Sequence, residues 1–314
     1  MKKRKTIAIM LVMVMTFALL VTGCSKDNAA STTAGTNSKF KVYLITMDKM
    51  DQHWVSVDKG AADMAAIAGA TYKWDAPDKK DNAKQIECVN NAVADGANLI
   101  LLAANDPVAI STAVADAKGK GVKIIYVDSP ANEEAIATLS TDNYGAGKTA
   151  GETMIKELDA AGKASGSIGI ISVNTATNST MNREAGFRLA IETDGRFTLL
   201  TTEYKDGDAA ASQESAAGFI TGNTDLVGMF GANEGSTVGV GNAIKANGGG
   251  IVGVGFDKSD AIQNLLNDGS LKAAMAQNPY TMGYLGMAQA IAALKGFSTG
   301  PAKIDTGVAV LVKK

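Results

Sequence analysis

The chain of 314 residues is poor in the residues on which many catalytic and disulfide-bonded sites depend. Its single histidine, His53, excludes metal motifs built on two histidines and most histidine-based hydrolytic relays. Its two cysteines are too few for a disulfide framework. Only 5 prolines interrupt the chain, whereas 34 glycines allow many tight turns between regular elements. We therefore expect no metal site and no catalytic activity.

Clustered basic residues are also absent from most of the chain. The formal net charge is −2, but basic residues fill positions 2–5 and all 32 acidic residues follow residue 23. The rest of the chain is therefore acidic, whereas proteins that bind the phosphate backbone rely on clustered lysine and arginine. A nucleic-acid partner is not expected. With 46% hydrophobic and 20% charged residues the chain is globular, and its length suits two domains.

The N-terminal segment is typical of an export signal. Basic residues 2–5 precede an apolar run over residues 7–21, which is too short for a stable transmembrane helix. The run ends at Gly23-Cys24, which resembles the lipobox of bacterial lipoproteins. We therefore expect residues 1–23 to be a lipoprotein signal peptide and Cys24 to carry a lipid; a simple signal anchor with an incidental cysteine is the alternative. Residues 24–38, rich in small polar residues, predict a flexible tether to the cell membrane and an extracytoplasmic location.

Apolar strands alternate with amphipathic helices from residue 40 onwards. Segments 97–102 and 121–127 are apolar on both faces, as strands of a parallel sheet covered by helices are. The same rhythm restarts after residues 136–139, so two sets of similar length follow each other. We expect an α/β protein with two doubly wound parallel-sheet lobes. Ligands bind beyond the carboxyl ends of such strands, which places the site in the cleft between the lobes.

Three local features of this pattern carry further predictions. Pro107 is expected in the first turn of a helix that reaches Lys118. Residues 197–203 are expected to form one strand. Cys88 falls in the helical pattern 81–94, where an unpaired cysteine is usually a small buried residue rather than a catalytic thiol.

Two glycine-containing segments do not predict nucleotide binding. In the segment 145–149 the position at which a P-loop has its first glycine is Asp142, whose carboxylate would repel phosphate. We expect this segment to form the first turn of a helix. Gly253-Val254-Gly255 follows a strand, but Phe256-Asp257 come next and no third glycine opens a helix. No cofactor is therefore expected.

Polar and aromatic residues instead cluster just after the predicted strands. They occupy the segments 47–54, 128–130, 174–183, 231–234, 256–257 and 277–278. Taken singly, a turn would account for Asp128, a helix cap for Asn233 and the core for Trp54. Together the segments supply a guanidinium, carboxylates, amides and flat rings. This mixture suits a small polyhydroxylated ligand, because carboxylates accept from hydroxyls, Arg183 donates, and a ring covers the apolar C–H face.

In these segments the chain resembles the ribose/galactose type of periplasmic sugar-binding proteins, the soluble components of ABC importers. The likeness runs from about residue 39 to the C-terminus and is most specific in the segments 52–61, 182–187, 231–234, 252–257 and 276–279. It implies a type I periplasmic binding protein fold whose chain crosses a three-strand hinge, near residues 140–141, 278 and 305–306. The N-terminal lobe would comprise residues 39–140 plus 279–305, and the C-terminal lobe residues 141–278 plus 306–314. A monosaccharide or polyol would bridge the lobes of a monomer and favour the closed state, which an ABC permease would recognise.

The sugar contacts of that family match nine positions of this chain. They are Asp51, His53, Trp54, Asp128, Arg183, Asn233, Phe256, Asp257 and Gln277. Ribose-binding members have asparagine in place of Asp51, two phenylalanines in place of His53-Trp54, and Asp-Arg in place of Asp128-Ser129. Their stacking aromatic residue of the second lobe has no clear match around residues 206–208. These departures leave the sugar class in place but favour a different hydroxyl pattern, a larger pyranose or a polyol over ribose.

Other classes of function are open to the sequence. One is a receptor of the same fold that serves a chemotaxis or sensor-kinase partner; the sequence does not distinguish it from an importer's receptor, and only the neighbouring genes would. A repressor-type regulator would need a basic helix-turn-helix before residue 39, where the export signal stands, and nothing recommends a secreted glycosidase. His53 would make ligand affinity change between about pH 5 and 8 if it titrates in the cleft, whereas a neutral, hydrogen-bonded ring would only shape the pocket.

Overall fold

The computed structural model describes residues 40–314, so the predicted signal peptide, the tether and Cys24 lie outside the described residues. The strands are β1 (Lys41–Ile45), β2 (Thr71–Asp75), β3 (Leu99–Leu102), β4 (Lys123–Val127), β5 (Thr138–Ser140), β6 (Gly166–Ser172), β7 (Phe197–Leu199), β8 (Glu203–Tyr204), β9 (Leu226–Gly231), β10 (Val252–Phe256), β11 (Ala273–Gln277), β12 (Lys303–Asp305) and β13 (Val308–Leu311). The helices are α1 (Gln52–Ala68), α2 (Asn82–Ala94), α3 (Ser111–Gly119), α4 (Asn143–Ala160), α5 (Asn178–Asp194), α6 (Ala209–Gly222), α7 (Glu234–Ala246), α8 (Asp260–Asn267) and α9 (Pro279–Leu294).

The first lobe is built on a parallel sheet with the strand order β12-β5-β4-β3-β1-β2. Its central strand β3 has the sequence Leu-Ile-Leu-Leu and is buried at every position, because helices cover both faces. On one face α1 and α9 pack over Leu99 and Leu101. On the other face α2 and α3 pack over Ile100 and Leu102. Alternate residues of one strand therefore serve two separate cores.

The second lobe repeats this arrangement on a sheet with the order β13-β11-β10-β9-β6-β7, in which β8 also pairs with β6. All strands are parallel except β13, which runs antiparallel to β11. Helices α4 and α5 cover one face around Phe187 and Phe230, and α6, α7 and α8 cover the other around Met229 and Leu265. The expected α/β fold with two doubly wound lobes is confirmed.

The chain passes between the two sheets three times, after β5, after β11 and between β12 and β13. Side chains tie these crossings together. Asp305 Oδ1 accepts hydrogen bonds from the backbone N–H groups of Asp142, at 3.1 Å, and Gly307, at 2.8 Å. Asn278 Nδ2 donates to the carbonyl oxygen of Thr306 at 2.7 Å. The crossings lie side by side, as a hinge between two rigid lobes requires.

Two local predictions are wrong. Pro107 starts a turn rather than the helix, because Asp106 Oδ1 accepts from the N–H groups of Val108 and Ala109 and holds this turn ahead of α3. The stretch 197–203 forms two short strands, β7 and β8, separated by irregular backbone. The glycine-containing segment 145–149 does form the first helical turns of α4, capped by Asp142. Cys88 is buried in α2, and burial raises its thiol pKa to about 11, so the thiol is unreactive at neutral pH.

None of the helices in residues 40–314 is long and apolar enough to cross a membrane.

Candidate functional site

The candidate site lies in the cleft where the carboxyl ends of the two sheets face each other. Two aspartates, Asp128 directly after β4 and Asp257 directly after β10, mark the same position in the two lobes. Both adopt the left-handed backbone conformation, with φ of 64° and 77°, which non-glycine residues rarely occupy. Their backbone N–H groups still bond to the neighbouring strands, at Leu139 and Met275. Backbone strain of this kind is typical of functional sites, and here one strained aspartate directly follows a central strand of each lobe; Asp206 of the second lobe, with φ of 50°, is a further residue of this kind.

Eight of the nine predicted contact residues line one small cavity. They are Asp51, His53, Trp54, Asp128, Arg183, Asn233, Asp257 and Gln277. Six further residues complete the wall, namely Met47, Lys80, Val173, Thr177, Ser179 and Thr180. The cavity measures about 20 Å³, enough for a single water molecule. A larger ligand can therefore enter only when the lobes separate or the enclosed side chains move.

Phe256 is the predicted contact that does not line the cavity. Its ring is fully buried under the Arg183 guanidinium, with 4.4 Å between Arg183 Cζ and the ring centroid, and it packs edge-on against Phe230. This cation–π contact supports the guanidinium from behind. The structure therefore gives Phe256 a supporting position, because a strand residue before Asp257 points to the opposite side of the backbone from it.

Arg183 reaches the cavity from the second turn of α5 and is fixed on two sides. Its Nε donates to Asn143 Oδ1 at 2.8 Å, and one terminal nitrogen donates to the carbonyl oxygen of Ala232 at 3.1 Å. The other terminal nitrogen is buried without a hydrogen-bond partner among the described residues, and so is Trp54 Nε1. Both are donors on the cavity wall. Buried donors of this kind are normally satisfied, so they indicate where a ligand supplies acceptors.

His53 lies between the two aspartates. Its Nε2 is 3.0 Å from Asp128 Oδ2, without the geometry of a hydrogen bond, and its Nδ1 is 3.6 Å from Asp257 Oδ1. Burial lowers the pKa of His53, but the two carboxylates outweigh burial and raise it to about 10. The imidazole is therefore a cation at neutral pH. This favours a charged imidazole in the closed cavity over the neutral ring, while the predicted change of ligand affinity between pH 5 and 8 stays a prediction.

The two aspartates stay ionised. Burial raises the pKa of Asp257, yet His53 and Arg183 together with a hydrogen bond from Gln277 Nε2, at 2.6 Å, lower it to about 2. The pKa of Asp128 is likewise lowered, because His53 and Arg183 outweigh the effect of burial. Both carboxylates are therefore hydrogen-bond acceptors in the cavity at neutral pH.

Lys80 is a cavity residue that the sequence did not indicate. It follows β2, and its Nζ lies 2.5 Å from Asp48 Oδ2 and 3.3 Å from Asp51 Oδ2, with the side chain only 6% exposed. Burial lowers the pKa of Lys80, but the two aspartates outweigh it and keep the ammonium charged. Its position after a strand end, like the residues that follow β1 and β4, is the signal that could have found it.

The lobes contact each other directly across the cleft. Thr177 Oγ1 of the second lobe donates to the carbonyl oxygen of Asn105 at 2.6 Å, and Asn233 Nδ2 lies 3.4 Å from Asp51 Oδ2. The described residues hold no cluster of three or more potential ligands arranged for a metal ion. Donors and acceptors from both lobes therefore surround one cavity in a closed molecule.

Comparison with known proteins agrees with this two-lobed, hinged architecture. Residues 42–298 match the periplasmic binding protein domain family. The chain belongs to this family. It has the type I periplasmic binding protein fold, and it is the substrate-binding component of a transport system, not an enzyme.

Several relatives of this periplasmic binding protein have assigned names or solved structures. The ribose import binding protein RbsB of Haemophilus influenzae is 27% identical over 270 residues, which cover 85% of this chain and 89% of that protein. The same protein of Bacillus subtilis is 26% identical, with 91% and 95% covered. Among solved structures, an ABC transporter solute binding protein from Agrobacterium vitis with bound α-D-tagatopyranose has a TM-score of 0.82 at 28% identity, covering 88% of this chain and 95% of that one. A carbohydrate transporter solute binding protein from Agrobacterium radiobacter in complex with D-arabinose has a TM-score of 0.84 at 28% identity, with the same coverage.

Proposed function

We propose that the protein binds an uncharged monosaccharide or polyol between its lobes and delivers it to an ABC permease. The observation that carries this proposal is the convergence of groups from both lobes on one cavity. Asp128 and Asp257 are acceptors, while Trp54 Nε1 and an Arg183 nitrogen are donors without a hydrogen bond among the described residues, the Arg183 nitrogen lying 3.8 Å from Asp128 Oδ2. A sugar ring, with hydroxyls that both donate and accept, satisfies all four.

The charges around the cavity favour an uncharged ligand. Among the residues that line the cavity, Lys80, His53 and Arg183 are cationic and Asp51, Asp128 and Asp257 are carboxyl groups; Asp48, which does not line the cavity, is a second carboxylate on Lys80. A charged ligand would leave one buried charge without a counterpart, which is costly. Sugar acids and amino sugars are therefore expected to bind worse than neutral sugars.

The relatives support the same ligand class without naming the ligand. Two are named for ribose import, and two solved neighbours hold a ketohexose and a pentose. His53-Trp54 and Ser129 depart from the pattern of ribose-binding members, which favours a sugar other than ribose.

The sequence supports an extracytoplasmic protein anchored by a lipid on Cys24. The basic start, the apolar run and the cysteine that follows it agree with this assignment. The flexible tether of residues 24–38 would let the described lobes reach a permease in the same membrane. A sensor of the same fold would bind the same ligand but pass the closed form to a receptor, and the genes beside this one distinguish the two partners.

A thermal-shift screen of the purified protein tests the ligand class. The panel contains D-ribose, D-arabinose, D-xylose, D-tagatose, D-fucose, D-allose, inositols and sugar alcohols, with galacturonate and glucosamine as charged counterparts. A true ligand at a hundred times its dissociation constant stabilises the fold by about 2.7 kcal/mol. Asp257→Asn should remove the shift, whereas Asp116→Asn, an exposed aspartate of α3, should retain it. Stabilisation by the charged counterparts alone would contradict the proposal.

A further inference from the structure

Helix α1 carries His53 and Trp54 in its first turn, yet its own chain does not cap it. Asp51 occupies the N-cap position but makes no capping hydrogen bond through its side chain. Its Oδ2 instead lies 3.3 Å from Lys80 Nζ and 3.4 Å from Asn233 Nδ2. The first N–H groups of a helix have no partner within the helix and carry partial positive charge. An acceptor from another part of the molecule is therefore favoured here.

The other lobe supplies this acceptor. Glu234 Oε2 accepts a hydrogen bond from the backbone N–H of His53 at 3.0 Å, between residues 181 positions apart in the chain. Glu234 is the first residue of α7 and is 7% exposed. Its carboxyl group therefore lies at the N-terminal ends of two helices, its own α7 and α1 of the first lobe. Because α1 lies in the first lobe and α7 in the second, lobe opening separates Glu234 from the His53 N–H.

We propose that Glu234 is a positioning residue for lobe closure, which caps α1 only when the lobes meet and thereby stabilises the closed state and seats His53 and Trp54 against the ligand. The proposal rests on the proposed function, since both seated residues line the cavity assigned to the sugar. Glu234 itself does not line that cavity; it acts through α1.

The surroundings make this contact sensitive to pH. The charged groups that face Glu234 or line the pocket beside it are Asp48, Asp51, His53, Asp78, Lys79, Lys80, Lys205, Asp206, Asp208 and Asp257. Burial, followed by the negative charges of Asp257 and Asp51, raises the pKa of Glu234 to about 7, although the N–H groups of Gln52 and His53 lower it. In an open molecule Glu234 faces water, where its pKa returns toward 4.5.

The sign of the effect follows from this difference. Because the closed state has the higher pKa, closure takes up a proton on Glu234 between about pH 5 and 7, and acidification across this range favours closure. The protonated carboxyl group keeps a carbonyl oxygen that accepts from the His53 N–H, so the cap survives protonation. The pKa of about 10 for His53 belongs to the closed molecule; Asp257 moves away on opening, so the pKa of His53 falls toward 6.5 and His53 adds a second proton uptake on closure above about pH 6.5. Burial also raises the pKa of Asp51, so a variant at Glu234 is needed to assign the effect.

Titration calorimetry with D-ribose, D-arabinose and D-tagatose tests the proposal on Glu234→Gln, Glu234→Ala and the control Glu214→Ala, an exposed residue of α6. Wild-type affinity should rise about threefold or more from about pH 8 to pH 5.5. Glu234→Gln should bind with a clearly smaller pH dependence than the wild type and with at least wild-type affinity near pH 8, because the amide oxygen keeps the cap without a charge. Glu234→Ala should bind about fivefold more weakly than Glu234→Gln throughout. Glu214→Ala should behave as wild type.

Two outcomes would overturn the proposal: a wild-type pH profile in Glu234→Gln, or wild-type affinity in Glu234→Ala. Small-angle X-ray scattering without sugar separates this proposal from the proposed function. The radius of gyration of the wild type should increase from about pH 5.5 to pH 8 and be largest in Glu234→Ala. If no sugar binds but the radius responds in this way, only the proposed function fails. If the radius is the same in every variant and at every pH, the closure proposal fails whatever binds.

Discussion

Individual charges in the cleft are balanced by residues that are distant in the chain. Lys80 illustrates this balance, because its ammonium lies between Asp48 and Asp51 and no residue of its own segment compensates it. His53 likewise lies between two carboxylates from distant segments, Asp128 and Asp257. A buried ion pair of this kind is neutral or modestly favourable while intact, but removing one partner leaves an unpaired charge.

Replacing Lys80 by methionine should therefore be costly. We expect Lys80→Met to lower the free energy of unfolding by about 3 kcal/mol, because Asp48 and Asp51 lose their cation, and to weaken sugar binding about tenfold or more. Lys79→Met, at an exposed neighbouring position, should change stability by less than about 0.5 kcal/mol. Urea denaturation and calorimetric titration measure the two effects. Equal stability and affinity of the two variants would show that the ion pairs of Lys80 with Asp48 and Asp51 contribute to neither.

At the scale of the elements, the close packing of two helices, α4 and α5, positions the site. Helices α4 and α5 pack backbone to backbone, since a Cβ at Gly147 would collide with the carbonyl group of Arg183 and one at Gly186 with that of Tyr144. The close approach also brings Asn143, at the start of α4, to Arg183 Nε. The position of the guanidinium therefore depends on the spacing of two helices.

Gly147→Ala tests this dependence. The added methyl group should push α5 away and lower the free energy of unfolding by about 2 kcal/mol, despite the better helix propensity of alanine. Sugar affinity should fall with it because Arg183 moves. Gly218→Ala on α6, where nothing lies within 4 Å of the new Cβ, should instead stabilise the fold by up to about 1 kcal/mol. A Gly147→Ala protein as stable as Gly218→Ala, measured by thermal and urea denaturation, would contradict the packing argument.

At the scale of the whole molecule, the proposed function requires the angle between the two lobes to change, so the crossings matter as much as the cavity. Asp305 ties the first crossing to the third through two backbone N–H groups, and Asn278 ties the second to the third. We expect these bonds to persist when the lobes separate and to limit the orientations of the open molecule. Fewer open orientations mean less conformational entropy to lose on closing.

Asp305→Ala should accordingly weaken sugar binding about fivefold, mainly through faster dissociation, while leaving the cavity unchanged. Stopped-flow measurement of tryptophan fluorescence gives both rate constants. Asp116→Ala, on the surface of α3, is the matched control. Identical dissociation rates in the two variants would mean that the Asp305 bonds do not restrain the hinge.

Much of this architecture was predictable from the sequence because it depends on local periodicity. Strands such as β3 and β4 are continuous apolar runs, and the polar segments after them mark the carboxyl ends of the sheets. Asp128, Asp257 and Gln277 were identified in this way, from the segments that follow β4, β10 and β11. The break between β7 and β8 and the turn at Pro107 were not predicted, because in both places irregular backbone interrupts an otherwise regular sequence pattern.

The sequence by itself determined the fold class, the order of the elements and the polar residues that follow the strands. Only the tertiary structure decided that Lys80 joins the cavity, that Phe256 lies behind Arg183, that His53 is a cation and that Glu234 reaches α1. Burial and electrostatic interactions depend on the distances between residues. Those distances are set when segments far apart in the chain fold against one another, so no local pattern of residues encodes them.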